Sequence, residues 1–244
     1  NYGSLVSITI NNLSDWNLIG LPLEVEDSHY QTLFPGSTEG TLYSYNGEQY
    51  VLGEELQMGN GYWLHFEYEG STQLSGTPVN EMTLQLNAGW NLISGISSVV
   101  GLTGISDPGN IVVPGTIFEF TGSYDYATLL TPGHGYWIYA STDGDITISS
   151  GNSSRKNAFN PENLDKVNKL SFNGYELYFG ISISEKEMAS YQLPPKPPAG
   201  AFDLRFKDGW RVVKDYGEVE VMNNSETLAI AYDIKIEAGE HMNW

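Results

Sequence analysis

Apolar and polar residues alternate with a period of two along much of the chain, most regularly at positions 83–86, 117–120 and 228–236. Gly, Pro, Asn or Asp interrupts the alternation every few residues, and no stretch shows the helical apolar spacing of an amphipathic helix. Because successive strand residues point to opposite faces, this pattern is typical of short strands with one buried face. The sequence therefore predicts an all-β protein with short, mostly antiparallel strands.

Three motifs occur twice, in the same order and at nearly the same spacing. They are Trp-Asn-Leu-Ile at 16–19 and 90–93, aromatic-x-aromatic at 43–45 and 118–120, and Gly-x-Gly-Tyr-Trp at 59–63 and 133–137. Position 16 thus corresponds to 90, position 43 to 118 and position 59 to 133. A period of this length indicates duplication of a small domain rather than a solenoid. We therefore expect residues 8–76 and 82–150 to be two copies of one β-fold.

The charges are distributed unevenly. All 11 basic residues lie at or after Arg155, whereas 16 of the 30 acidic residues precede it. The first 154 residues therefore carry a net charge of −16, and the rest only −3. A surface without Lys or Arg cannot neutralise phosphate groups, which excludes nucleic acid as a partner of this part and disfavours anionic lipids and polysaccharides. The change at Arg155 also indicates a domain boundary.

Repeat and charge together predict the domain organisation. Two small antiparallel β-domains are expected, a first β-repeat at 1–80 and a second at 81–152. A polar linker at 153–163 then leads to a β-sandwich-like domain at 164–244. Because strand-like alternation runs nearly to Trp244, we expect the natural chain to continue beyond it, and any export signal to precede Asn1.

Two further features of the composition bear on location. No run of 18 apolar residues occurs, so membrane insertion is not expected. The chain has no cysteine, which excludes disulfides, thiolate metal sites and a Cys nucleophile, and which fits an exported bacterial protein.

The repeated aromatic residues Tyr62, Trp63, Tyr136 and Trp137 have two interpretations. They are either core residues of the two copies or an exposed platform on which sugar rings stack. Adjacent strand residues face opposite sides, so at most one of each pair is expected in the core if the unit is thin. Carboxylates that could accept sugar hydroxyl bonds nearby are Glu67, Glu119 and Asp125. Neutral polysaccharide is the compatible ligand, because stacking and hydroxyl bonds need no positive charge.

The sequence offers few candidates for metal binding or catalysis. Asp143 and Asp145 are weak calcium candidates, with a solvated acidic loop as the alternative. The four histidines lack zinc-ligand spacing, and no Gly-x-Ser-x-Gly elbow occurs. We therefore expect no enzyme activity and no cofactor, with calcium alone left open.

The repeated motifs resemble a tandem module found near the C-termini of large exported proteins of the Bacteroidetes and related phyla. The string at 191–206, Tyr-Gln-Leu-Pro-Pro-Lys-Pro-Pro-Ala-Gly-Ala-Phe-Asp-Leu-Arg-Phe, is similar to the segment that precedes the sorting domain of type IX secretion substrates. This sequence does not contain that sorting domain. The resemblance implies a secreted or cell-surface multidomain protein of which this chain is a noncatalytic part, and it transfers no catalytic residue.

Three functions are therefore under comparison. The first is a noncatalytic extracellular β-domain region that serves as spacer, adhesion or interaction module and contacts another extracellular protein. The second is a carbohydrate-binding module for neutral glycans, attached to a hydrolase. The third is part of a hydrolase. An exposed coplanar set of Trp and Tyr would favour the second, and a cleft with paired carboxylates the third.

Overall fold

The computed structural model describes residues 4–151, 164, 167–172, 174–180, 184–214, 218–222 and 234–237. The chain divides into two compact units, residues 1–113 with 117–158 and residues 114–116 with 159–244. Both β-repeats thus belong to one unit. The prediction of an all-β fold is confirmed, since nearly all regular structure is strand in several antiparallel sheets. The predicted linker at 153–163 lies outside the described residues.

The first copy contains seven strands and one helical turn, α1 (Tyr30–Leu33). The strands are β1 (Val6–Asn12), β2 (Asp15–Gly20), β3 (Leu23–Glu24), β4 (Tyr43–Tyr45), β5 (Tyr50–Leu52), β6 (Gly61–Phe66) and β7 (Gly70–Pro78). They form a sheet of order β1-β7-β3 and a sheet of order β2-β6-β4-β5. The helical turn was not expected from the sequence; its first turn is capped by the side chain of His29, which accepts the Gln31 N–H.

The second copy repeats this arrangement with small additions. Its strands are β8 (Glu81–Leu86), β9 (Gly89–Ser94), β10 (Val100–Gly101), β11 (Ile105–Ser106), β12 (Val112–Phe120), β13 (Tyr124–Tyr126), β14 (Leu129–Leu130), β15 (Gly135–Ala140) and β16 (Gly144–Ser149). The sheet orders are β11-β16-β8 and β13-β12-β15-β9, with a separate β10-β14 pair. A 3-10 turn at Leu102–Gly104 follows β10.

Strand register shows that the two copies are equivalent. In the first copy Leu18 pairs with Trp63, and in the second Leu92 pairs with Trp137. The strands β2, β6 and β7 correspond in order and in spacing to β9, β15 and β16. The two copies therefore share strand order and pairing at the period found in the sequence.

The core of each copy lies between its two sheets. On β6, Tyr62, Leu64 and Phe66 point into a buried apolar cluster that also receives Ile10 from β1. Tyr136 and Ile138 on β15 do the same in the second copy. The residues between them on β6 and β15 point to the opposite face, which in an ordinary thin sheet would meet solvent. Whether these residues are buried therefore depends on what packs against that face.

The second unit is described in part. Its strands are β17 (Asn168–Phe172), β18 (Tyr175–Phe179), β19 (Asp203–Phe206), β20 (Val212–Val213), β21 (Val219–Met222) and β22 (Ile234–Glu237). They form sheets of order β20-β18-β17-β22 and β19-β21, and a short helix α2 (Glu185–Met188) precedes a 3-10 turn at Ala189–Tyr191. The strand predicted at 228–236 coincides with β22 only at its end, and 228–233 lie outside the described residues.

A buried ion pair fixes the proline-rich segment of the second unit. Asp203 and Arg205 are both nearly inaccessible, and Arg205 Nη2 donates to Asp203 Oδ1 at 2.8 Å. Arg205 Nη1 also donates to the carbonyl of Pro194 at 2.9 Å. Because each charge is matched by a hydrogen-bonded partner, the pair is tolerated in the core. It anchors the extended proline segment to β19.

Candidate functional site

Each repeated Trp of the Gly-x-Gly-Tyr-Trp motif is covered by a hairpin of the other copy. The Trp63 ring meets Phe120 at 4.7 Å between centroids and Tyr124 at 6.2 Å, both on the β12–β13 hairpin. In return, the Trp137 ring meets the β4–β5 hairpin of the first copy. The contacts are edge-to-face, the arrangement that aromatic pairs prefer. The two copies are therefore interlocked, and each completes the core of the other.

Backbone contacts join the copies at equivalent places. The Gly20 N–H donates to the Gly133 carbonyl, and the Ser94 N–H donates to the Gly59 carbonyl, both at 3.0 Å. Since Gly20 corresponds to Ser94 and Gly59 to Gly133, one bond is the image of the other. The copies thus face each other with an approximate two-fold relation.

Glycine is required where the copies approach most closely. A Cβ on Gly61 would lie 2.4 Å from the Ile93 carbonyl oxygen, and one on Gly135 would lie 2.7 Å from the carbonyl oxygen of Ile19. These distances are far below van der Waals contact. The Gly-x-Gly motifs are therefore explained by close packing and by the positive φ of their first glycine, Gly59 and Gly133.

The structure places all four candidate sugar-stacking rings in the core. The exposed fractions are 3% for Tyr62, 0% for Trp63, 1% for Tyr136 and 0% for Trp137. A stacking platform needs an exposed ring face, so the platform interpretation of these four residues is corrected to the core interpretation. The physical reason is the interlock, which covers the second face of β6 and β15 with the partner copy. The expectation of at most one core residue in each pair assumed a thin unit, and that assumption does not hold for the same reason.

The tyrosines of the motif fix the loop that precedes them. Tyr62 Oη accepts the Gln57 N–H at 2.9 Å, and Tyr136 Oη accepts the Thr131 N–H at 2.7 Å. Burial raises the pKa of Tyr136 to about 12, so its hydroxyl stays protonated. Thr131 occupies the position in the second copy that Gln57 occupies in the first, and this role of Tyr is therefore common to both copies.

The asparagine of each Trp-Asn-Leu-Ile motif holds the turn before its strand. Asn91 Oδ1 accepts the Asn87 N–H at 3.0 Å, and Asn91 Nδ2 donates to the carbonyls of Asn87 and Gly89. Asn17 makes the equivalent bonds in the first copy. Sequence reasoning did not assign this role, although Asn side chains in turns commonly bond the neighbouring backbone.

The two candidate calcium ligands, Asp143 and Asp145, do not form a metal-binding group with other acidic side chains in the described residues. Asp143 Oδ1 accepts the Ala88 N–H at 2.7 Å, and the exposed Asp145 lies on β16 opposite Gln85. In the described part of the chain, no group of three or more His, Asp or Glu side chains is arranged to hold a metal ion. Calcium binding by Asp143 and Asp145 stays a prediction, which the melting temperature in calcium and in chelator would test.

Of the three carboxylates named as sugar acceptors, one lies on the first copy and the other two are neighbours on the second copy. Glu67 is exposed and accepts the hydroxyl of Tyr68 at 2.8 Å. Glu119 and Asp125 are cross-strand partners on the β12–β13 hairpin. Burial, and then the charge of Asp125, raise the pKa of Glu119.

A hydroxyl, an imidazole and a carboxylate meet on the first copy, which sequence reasoning missed. Thr38 Oγ1 lies 2.8 Å from His65 Nδ1, and His65 Nε2 lies 3.7 Å from Asp15 Oδ1. The second distance exceeds a hydrogen bond, and Asp15 Oδ1 accepts the Trp16 N–H at 2.9 Å. The Thr38 N–H also donates to the His65 carbonyl. This cluster therefore ties a loop to β6.

A groove between the copies is a candidate for holding a ligand. Its volume is about 270 Å³, and it lies between the β4–β5 turn and the loop before β6 on one side and strands β8 and β9 on the other. The lining residues are Tyr45, Asn46, Gly47, Gly59, Asn60, Thr83, Leu84, Gln85, Leu86, Asn87, Trp90, Asn91, Leu92 and Ile93. The sequence could not have placed this groove, because segments from different copies of the repeat build it.

No helix in the described ranges is long and apolar enough to cross a membrane. Comparisons with protein-family models, with curated proteins and with solved structures found no match.

Proposed function

We propose that this chain is a noncatalytic β-domain region of an extracellular or cell-surface bacterial protein, where it acts as a rigid spacer and interaction module. The observation that carries the proposal is the interlock of the two copies. Neither copy can open without exposing Trp63 or Trp137, because the cover of each ring belongs to the other copy. Such a unit resists local unfolding, which is what a spacer between other domains requires.

Three sequence features support the extracellular part of the proposal. The first 154 residues contain no Lys or Arg, which are the cleavage sites of trypsin-like proteases. The absence of cysteine makes the fold independent of the redox state of its surroundings. The resemblance of the repeated motifs to modules of type IX secretion substrates points the same way. Antibody labelling of intact cells that express the full-length protein tests this location.

Single-molecule force spectroscopy tests the spacer role. When residues 4–151 are pulled from their ends, we expect one unfolding event, because the copies share one core. The contour-length gain should be about 50 nm, the extended length of this segment. The variant Trp63→Ala should unfold at lower force, whereas the matched control Tyr68→Ala, whose ring is 74% exposed, should not. Two separate events of about 25 nm each would contradict the proposal.

A second function, binding of neutral glycans, is favoured by one specific observation. The groove between the copies is lined by amide and aromatic side chains and is uncharged in an acidic protein. The ligand class for this groove is argued below.

A further inference from the structure

The groove differs from the rest of the surface in its charge. The whole chain has a formal net charge of −19, yet none of the described residues that line the groove is charged. The lining itself supplies neither a carboxylate for a cation nor a basic group for an anion, although Asp145 lies on the neighbouring strand opposite Gln85. The lining instead favours a neutral polar ligand, because amide groups both donate and accept hydrogen bonds.

Trp90, one of the residues that line the groove, has a ring held in a fixed position. Trp90 is partly exposed, and its ring is packed edge-to-face against Trp137 at 6.3 Å, Tyr139 at 5.2 Å and Phe118 at 5.9 Å. A rigid indole that keeps part of its surface accessible offers apolar contact without losing side-chain freedom when a ligand binds.

The amides around the groove are exposed and partly held in place. Asn46 Oδ1 accepts the backbone N–H groups of Glu48 and Gln49, which orients the side chain at the hairpin turn. Asn60 Nδ2 donates to Gln57 Oε1 at 3.3 Å, and this bond does not use the side-chain oxygen of Asn60. The side chains of Gln85 and Asn87 are exposed on the opposite wall.

We propose that this groove binds the end of a neutral carbohydrate chain, with a sugar ring against Trp90 and its hydroxyls bonded to the surrounding amides. The volume of 270 Å³ is just below the usual range for small-molecule pockets, about 300–1,000 Å³, and suits about one or two sugar rings. The proposal rests on the interaction role proposed above and gives that role a ligand class.

The equivalent place on the other side of the unit keeps an amide at Asn11 but lacks several of the other groups. At the spacing of the repeat, Asn46 corresponds to Thr121 and Asn87 to the exposed Leu13. Trp90 corresponds to Trp16, which is only 9% exposed. The two equivalent places thus differ in some of the groups that a sugar would need, so the second side serves as an internal control.

Binding of soluble oligosaccharides to the full 244-residue chain tests the proposal. The panel contains neutral β-1,4- and β-1,3-glucan, mannan and xylan fragments, anionic oligogalacturonate and an unstructured polypeptide. We expect a neutral oligosaccharide to bind, and the double variant Gln85→Ala/Asn87→Ala to weaken it by about tenfold or more without a change in melting temperature. The variant Asn11→Ala, at the position equivalent to Gln85, should leave the affinity unchanged.

Several outcomes would overturn the proposal. They are the absence of any neutral sugar that binds, binding of the anionic sugar or the polypeptide alone, and affinity that survives the double variant. The variant Trp90→Leu gives an independent readout, since indole fluorescence on sugar titration should change in the wild type and not in this variant. None of these results affects the force experiment, so failure of the groove and failure of the spacer role are distinguishable.

Discussion

Gly20 and Ser94 occupy equivalent positions in the two copies and face each other where the copies meet. A Cβ atom on Gly20 would lie 2.2 Å from the Cβ of Ser94. Only one of the two positions can therefore carry a side chain, although the sequence alone gives no reason to treat them differently.

The first prediction follows from this contact. Gly20→Ala should lower the free energy of unfolding by about 1–3 kcal/mol, because an extra carbon is forced into a packed junction. The double variant Gly20→Ala/Ser94→Gly should recover most of the loss, since it moves the side chain to the other copy. Gly36→Ala is the control, because a Cβ there would meet no described atom within 4 Å. Urea unfolding measures all three; a double variant no better than Gly20→Ala would contradict the account.

The second prediction concerns the aromatic interlock. Trp63→Ala should lower the free energy of unfolding by about 3–5 kcal/mol, as expected for the loss of a large buried aromatic ring. Tyr45→Ala should also destabilise, because Tyr45 covers Trp137 at 4.9 Å although it is itself only partly buried. The near-ultraviolet circular dichroism of Tyr45→Ala should change through Trp137 in the other copy. An exposed ring, Tyr68, provides the control for removal of a tyrosine.

The third prediction concerns the copies in isolation. The first copy alone, residues 1–79, should form a homodimer, because Trp63 can then pack on Tyr45 and Tyr50 of its partner, the same rings that cover Trp137. Gly20 would then face Gly20, which leaves room. The second copy alone should dimerise more weakly, since Ser94 would face Ser94.

Analytical ultracentrifugation measures this difference. In the second copy, Ser94→Gly should strengthen the dimer, which ties the effect to the junction and not to general stability. A first copy that is folded, compact and monomeric would show that the interlock is not needed for folding.

The fourth prediction concerns pH. Burial and the nearby Asp125 raise the pKa of Glu119 in the folded state. The resulting stabilisation is present at pH values below the ordinary pKa of glutamate and is lost as the pH rises through the raised value. Glu119→Gln should therefore stabilise the unit at pH 7 and have little effect at pH 4. The gain at pH 7 should be less than about 1 kcal/mol, because the site is partly exposed. Equal effects of Glu119→Gln at both pH values would refute the assignment.

Local pattern was enough to predict strands, repeats and their spacing. Alternation of apolar and polar residues identified β8 and the end of β12, and the repeated motifs identified equivalent strands. The helix α2 could also have been predicted, because Ser184 and Glu187 have capping-box spacing and form the box in the structure. These features depend on residues close to one another in the chain.

The burial of Trp63 and the groove could not be predicted in this way. Parity along β6 shows that Tyr62 and Trp63 face opposite sides, but whether the second side is covered depends on Phe120, which belongs to the other copy. The groove likewise requires the turn at Asn46 to meet β8 of the other copy. Such long-range contacts are a property of how two domains dock, which a hydrophobic pattern does not encode.

The two-fold relation between the copies has a consequence for how this protein can evolve. Residues at the junction, such as Gly61 and Gly135, are constrained twice, because a change in either copy disturbs both cores. Residues at the rim, such as Asn87 and its counterpart Leu13, are constrained by neither core. Duplication thus gave the chain a spare surface on an unchanged framework, on which one side can acquire a new ligand preference while the other preserves the old one.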